Sequence, residues 1–339
     1  MDQDAGHRGR NEPTVTIRDV ALRANVALSS VSRVLSGHPD VSPAMREKVE
    51  AAAAELGYEP DFLAQSLRSG HTRTIGFVMR DISNPLFANI ARRSEQELRR
   101  SGYSMIITSS DGDAKVEAEN LHLLRRRKVD GVIVSLVSET AEQTVTALRD
   151  FTVPVVLLDR EVEGLHAGAV LSDHYSGVRS ATQALLARGH TRIALVTGSL
   201  DVRSSRERLR ALRDAHTEAD VAVDEQLVVF GTFDPDFAKA EVTRLLTRKH
   251  RPTAVLAGGI GPTIGAARAV RQLRMTLGDE ITIVALDEWP GFDALAPAMP
   301  SVFRDSDELG TASARLLLDM LEGGEPRTET IDTVYVPRG

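Results

Sequence analysis

Apolar residues first take up a regular spacing at Ile17. Ile17, Val20, Ala21 and Ala24 recur at i, i+3, i+4 and i+7, the stripe of a helix with one buried face. Thr16 stands before it as a cap, and Asp19 falls in the first turn, where the helix dipole favours a carboxylate. After the short turn Asn25-Val26-Ala27, a second helix from about Leu28 to Leu35 buries Val31, Val34 and Leu35, and Ser36 to Asp40 reads as a loop. Ser42-Pro43 starts a third helix that buries Val49, Ala52, Ala53 and Leu56 and ends at Gly57. The three helices make a unit of about forty residues, near the lower limit for folding alone.

Tyr58 to Asp61 breaks the pattern, and Phe62 to Ser69 could add a helical turn or two before the polar Gly70-His71-Thr72-Arg73. From Thr74 the texture alternates. β-rich runs at Ile75 to Met79, Met105 to Thr108, Val132 to Leu136 and Val153 to Leu158 are separated by helical stretches, and a second series follows at Ile193 to Thr197, Leu227 to Phe230, Ala254 to Ala257 and Ile281 to Leu286. Strands alternating with helices predict two doubly wound parallel-sheet lobes, with any ligand at the carboxyl ends of the strands.

A chain of 339 residues exceeds one core, in keeping with a small module and a two-lobed domain. The net charge of −7 argues against a broad phosphate-neutralising surface, and residues 1–73 hold nine Lys and Arg against ten Asp and Glu, so any DNA contact must be local. The absence of cysteine excludes disulfides and thiolate chemistry. A polar leader over residues 1–14, read as disordered, carries no export signal, and no run of eighteen apolar residues occurs; a cytoplasmic location without membrane contact is expected. No catalytic constellation is visible. The nine histidines lack metal-ligand spacing, and Asp305 and Asp307 read as solvated loop. The glycines of Gly259-Ile-Gly261-Pro-Thr-Ile-Gly265 do not fit a dinucleotide loop. Neither enzyme activity nor a metal or cofactor is expected.

The stretch from Thr16 to Leu35 resembles the helix-turn-helix head of the lactose-repressor (LacI/GalR) family of transcriptional regulators. The likeness continues through Val41-Ser42, Glu55-Leu56-Gly57-Tyr58-Glu59-Pro60, Arg73-Thr74-Ile75-Gly76 and Asp81 to Phe87, then Val129-Asp130-Gly131, Gly189 to Ile193 and Arg208-Leu209. The resemblance implies an all-α helix-turn-helix head plus an α/β periplasmic-binding-protein-like core of two doubly wound lobes. The implied divisions are a head over 15–60, a hinge helix and linker over 61–73, an N-terminal lobe over 74–171 and 303–330, and a C-terminal lobe over 172–302 and 331–339.

By the same resemblance Leu28, Ser29 and Arg33 face bases in the major groove, Thr16, Ser30 and Ser32 contact phosphate or support the helix, and Leu67 wedges into the minor groove. Three residues depart from the family pattern. Asn25 stands where Gly is usual but tolerates a left-handed turn, Ala27 lacks a capping hydroxyl, and Asp61 would repel phosphate. The implied effector site, for a sugar or related metabolite, comprises Phe87, Asp159, Arg208, Phe233, Asp287 and the adjacent Trp289. Carboxylates and a guanidinium there bind hydroxyls and an aromatic face stacks on a ring, although on sequence alone both phenylalanines read first as core. Ile260 stands where the family carries an acid, which leaves open a less hydroxylated ligand or a site without an effector. A homodimer on a pseudo-palindromic duplex operator is the expected assembly.

Overall fold

The computed structural model describes residues 15–35, 38, 40–58, 70–296 and 299–338. The chain divides into one unit up to Thr72 and a second from Arg73 onward. The expected leader and most of the expected hinge, including Asp61 and Leu67, lie outside the described residues.

The first unit has three helices: α1 (Ile17–Arg23), α2 (Leu28–Leu35) and α3 (Pro43–Leu56). Asn25 adopts φ 45°, so the left-handed turn between α1 and α2 forms without glycine. Ser42 Oγ accepts from Met45 N at 3.3 Å and caps α3, and Gly57 at φ 61° ends it. The core is Val20, Ala21, Ala24, Val31, Val34, Val49, Ala52 and Ala53, with Ile17, Leu35 and Leu56 half-buried at its edge. An Arg23–Glu55 ion pair links α1 to α3.

The second unit contains two six-stranded sheets. The first is ordered β11-β5-β4-β3-β1-β2 and is parallel throughout. Its strands are β1 (Thr74–Met79), β2 (Ser104–Ser109), β3 (Gly131–Val134), β4 (Val155–Leu158), β5 (Gly168–Ser172) and β11 (Thr328–Ile331). The second is ordered β12-β10-β9-β8-β6-β7, with β12 alone antiparallel. It comprises β6 (Ile193–Gly198), β7 (Val228–Gly231), β8 (Ala254–Ala257), β9 (Thr282–Ala285), β10 (Ser301–Arg304) and β12 (Thr333–Val336). Central strands such as β3, β4, β8 and β9 are buried along their whole length, because helices cover both faces of a parallel sheet.

Helices α4 (Pro85–Arg100), α5 (Ala114–Arg126) and α6 (Glu142–Arg149) belong to the first lobe; α7 (His174–Ala187), α8 (Arg203–Glu218), α9 (Pro235–Leu246), α10 (Ile260–Gln272) and α11 (Pro290–Leu295) belong to the second. Helix α12 (Ser306–Leu321) returns to pack on α4. The chain changes sheet at Asp173, Asp305 and Asp332. The boundaries expected at 171/172, 302/303 and 330/331 therefore fall inside β5, β10 and β11, and the crossings come one or two residues later. Two of these aspartates fix the crossing by starting a helix: Asp173 accepts from Tyr175 N and Ser176 N, and Asp305 accepts from Glu308 N at 2.9 Å. Asp305 and Asp307 are thus the cap and first turn of α12 rather than solvated loop.

Candidate functional site

In the first unit, α2 presents two faces. Val31 and Val34 point into the core, and the roughly 100° rotation per residue carries Leu28, Ser29 and Arg33 to the outside, where all three are exposed. Ser30 and Ser32 are half-buried at the margins. Ala27 offers no capping hydroxyl, but its carbonyl accepts from Ser30 N at 2.9 Å and starts the helix. Thr16 is held differently. Its backbone N–H and its hydroxyl both donate to Asp19 Oδ2, at 2.8 and 2.7 Å, and these bonds hold the Asp19 carboxyl below its ordinary pKa. With its hydroxyl proton directed at a carboxylate, Thr16 serves α1 rather than a phosphate.

In the second unit a cavity of about 390 Å³ opens between the lobes at the carboxyl ends of the strands. Phe87, Asp159, Arg208, Phe233 and Asp287 all line it. Trp289 does not; it precedes α11 and meets Phe292 edge-on at 5.4 Å. Ile260 does line the cavity, buried in the first turn of α10. The adjacent glycines serve packing: a Cβ at Gly261 would lie 2.1 Å from Phe233 O and one at Gly265 2.2 Å from Pro235 O, so they let α10 approach the backbone at the start of α9.

The polar wall is a buried ion-pair chain. Asp159 directly follows β4 with φ 56°, a conformation that Asp tolerates, and Ser172 N donates to its Oδ1 at 3.1 Å. His174 Nε2 lies 3.0 and 2.8 Å from the two Asp159 oxygens, which assigns the ring proton to Nε2. Burial pushes His174 down to about 4, against the pull of Asp159, so the ring is neutral at pH 7. Asp159 stays ionised, held well below the usual carboxylate range by His174 and Arg304 despite the opposing effect of burial. Arg304 Nη1 donates to Asp159 Oδ2 at 2.9 Å, and Arg304 Nε lies 3.3 Å from Asp287 Oδ1. Arg208 donates to Gly258 O at 3.0 Å and stands 3.7 Å from Asp287 Oδ2.

Asp159 belongs to the first lobe, whereas Arg304 and Asp287 belong to the second, so the cavity wall is also a link between lobes. A second link lies beside it. The buried Glu139, in the loop after β3, accepts from Arg203 N at 3.1 Å and pairs with Arg206 Nη2 of α8 at 2.7 Å.

Sequence reading missed Arg80, Arg160, His174 and Arg304. A signal was available for three of them. Arg80 directly follows the apolar strand β1, Arg160 stands two residues after the end of β4, and Arg304 ends β10, the places where a doubly wound sheet presents side chains to its crevice. His174 left no such mark.

Comparison with known proteins agrees with this architecture. Residues 16–61 match bacterial regulatory proteins of the lacI family, and residues 75–325 match the periplasmic binding protein domain. The ribose operon repressor of Haemophilus influenzae is 31% identical over 93% of this chain and 95% of its own. The transcriptional repressor PurR of Klebsiella pneumoniae is 30% identical over 94% of this chain and 93% of its own. Among solved structures, the lac repressor dimer bound to operator and the anti-inducer ONPF superimposes with a TM-score of 0.82 at 25% identity, covering 96% of this chain and 98% of its own. The complex of the regulator CelR with cellobiose gives 0.72 at 29% identity, over 96% of this chain and 99% of its own. The curated relatives are transcriptional repressors, not enzymes. This chain belongs to the lacI family of bacterial regulatory proteins: it is a DNA-binding transcriptional regulator with a helix-turn-helix head and a two-lobed, effector-binding domain.

Proposed function

We propose that the chain is a cytoplasmic homodimeric repressor that reads a pseudo-palindromic operator through Leu28, Ser29 and Arg33, with Ser30 and Ser32 near the phosphates, and that a small molecule in the cavity of the second unit sets its affinity for DNA. The observation that carries this reading is the placement of Asp159, Arg304 and Asp287. They form the cavity wall and join the two lobes, so a ligand that engages any of them acts on the angle between lobes. Phe87, Arg208 and Phe233 complete the proposed contacts. The relatives named ribose operon repressor and transcriptional repressor PurR, and the lac repressor dimer on its operator, support the same division of labour.

Linkage requires the ligand to favour one lobe arrangement; a typical coupling of about 1–3 kcal/mol corresponds to roughly 5- to 150-fold in operator affinity. The test is fluorescence anisotropy with duplexes from the region upstream of the gene, titrated with and without candidate metabolites. A duplex preferred over random competitor at moderate salt, with an affinity that a metabolite changes, is the expected result. Equal affinity for all duplexes would remove the reading, and monomer alone in analytical ultracentrifugation at micromolar concentration would remove the dimer.

A further inference from the structure

We infer that the cavity is built for a hydroxylated organic anion, a small polyol bearing a carboxylate or a phosphate; this rests on the reading of the cavity as the effector site. Most of the lining carboxylates are already engaged by the protein. Asp159 accepts from Ser172 N, His174 and Arg304. Asp81 accepts from the backbone and hydroxyl of Ser83 at 2.8 and 2.7 Å. Asp234 caps α9, accepting from Asp236 N and Phe237 N, and Asp111 accepts from Ser109 Oγ at 3.0 Å.

Two of the arginines are in the opposite condition. Arg208 Nε is buried without a hydrogen-bond partner. Arg80 is half-buried at the cavity wall, with its guanidinium 4.9 Å over the Phe233 ring and no ion pair to any described residue. Burial first, and then the charge of Arg160, hold Arg80 below its ordinary pKa, as expected of a cation whose charge is incompletely offset. Asp287 is engaged by the protein as well, its Oδ1 3.3 Å from Arg304 Nε and its Oδ2 3.7 Å from Arg208 Nη2.

A ligand that satisfies this wall must bring more acceptors than donors. A neutral hydroxyl offers both, but an oxyanion offers acceptors alone and forms the stronger, charge-assisted bonds to guanidinium. Hydroxyls on the same ligand can donate to Asp81 and Asp234, of which only Oδ1 accepts from the protein. Phe87, Ile260 and Ile264 line the cavity with apolar side chains, so the hydroxyls belong on the edge towards its polar residues. A cavity of about 390 Å³ admits a single small ring or a short chain.

Calorimetric titration of the full chain with D-ribose, D-ribonate, ribose 5-phosphate and inorganic phosphate tests this. One of the two hydroxylated anions is expected to bind at least about tenfold tighter than ribose, and the arm that binds separates the carboxylate from the phosphate source. Arg80→Met should weaken that anion by about tenfold and leave ribose nearly unchanged, with Arg80→Lys between the two. Ribose binding as tightly as both anions, inorganic phosphate binding as tightly as ribose 5-phosphate, anion affinity indifferent to Arg80→Met, or no binding by either hydroxylated anion would each overturn the proposal. An anion that binds through Arg80 yet leaves operator affinity unchanged would instead remove the effector role and leave the anion site standing.

Discussion

Arg304 Nη1 lies 2.9 Å from Asp159 Oδ2 although 145 positions separate them in the chain and they belong to different lobes. Both are buried. Removing one partner strands the other charge away from water, and for a buried pair this typically costs about 3–5 kcal/mol. Arg304→Met should therefore lower the stability of the second unit by about 3 kcal/mol, the low end of that range, because Ser172 N and His174 still hold Asp159. The urea midpoint of the purified protein is the measurement. An unchanged midpoint would show that the pair contributes nothing in solution.

Glu117, in the first turn of α5, is fully buried; its Oε2 accepts from Val137 N at 2.8 Å while Oε1 has no partner. Burial raises its pKa to about 7, the Val137 bond and Arg160 opposing in part. The folded chain thus prefers the protonated acid. That preference is fully present below the ordinary carboxyl pKa of 4.5 and is lost as pH rises through 7. Glu117→Gln should remove up to about 3 kcal/mol of this pH-dependent loss. Denaturation at pH 5 and pH 8 checks it: the parent should lose more stability over that interval than the variant.

Glu139 links the lobes beside the cavity through Arg206 and the backbone of Arg203. Glu139→Gln keeps the acceptor for Arg203 N but removes the charge. A loss of about 1–2 kcal/mol is expected, limited because Arg206 is partly exposed to water. A double-mutant cycle with Arg206→Gln should return a coupling energy of about 1 kcal/mol, and purely additive losses would mean that the two side chains do not interact.

Thr16 and Arg33 should separate in a DNA-binding assay. Thr16→Ala removes half of a cap and should lower the stability of the head by about 1 kcal/mol without changing the salt slope of binding. Arg33→Ala should weaken operator binding by about 1–3 kcal/mol with little change in melting. If Thr16→Ala reduced the salt slope, its hydroxyl would be a phosphate contact after all.

The eight β-rich runs read from the sequence are all strands, and the three helices of the head fall where period and caps place them. These features are local: an amphipathic stripe, a Ser-Pro start or a Gly stop is complete within a few residues. Strands β5, β10, β11 and β12 escaped that reading. They are four or five residues long, and β11 and β12 are only partly buried, so each takes its identity from the sheet it joins rather than from its own pattern.

The cavity divides in the same way. Five of its side chains could be assigned by resemblance, because aligned motifs carry residue types forward. The ion-pair chain from His174 through Asp159 and Arg304 to Asp287 could not, because its central link joins Asp159 to Arg304, 145 positions apart and on different sheets. By itself, the sequence determined which helices and strands form and that a DNA-reading head precedes two wound lobes, since periodicity and capping act over short distances. Which buried charges meet across the crevice, and which of their hydrogen-bonding atoms remain for a ligand, was decided only when the lobes closed around them, because desolvation and pairing are properties of the assembled tertiary surface.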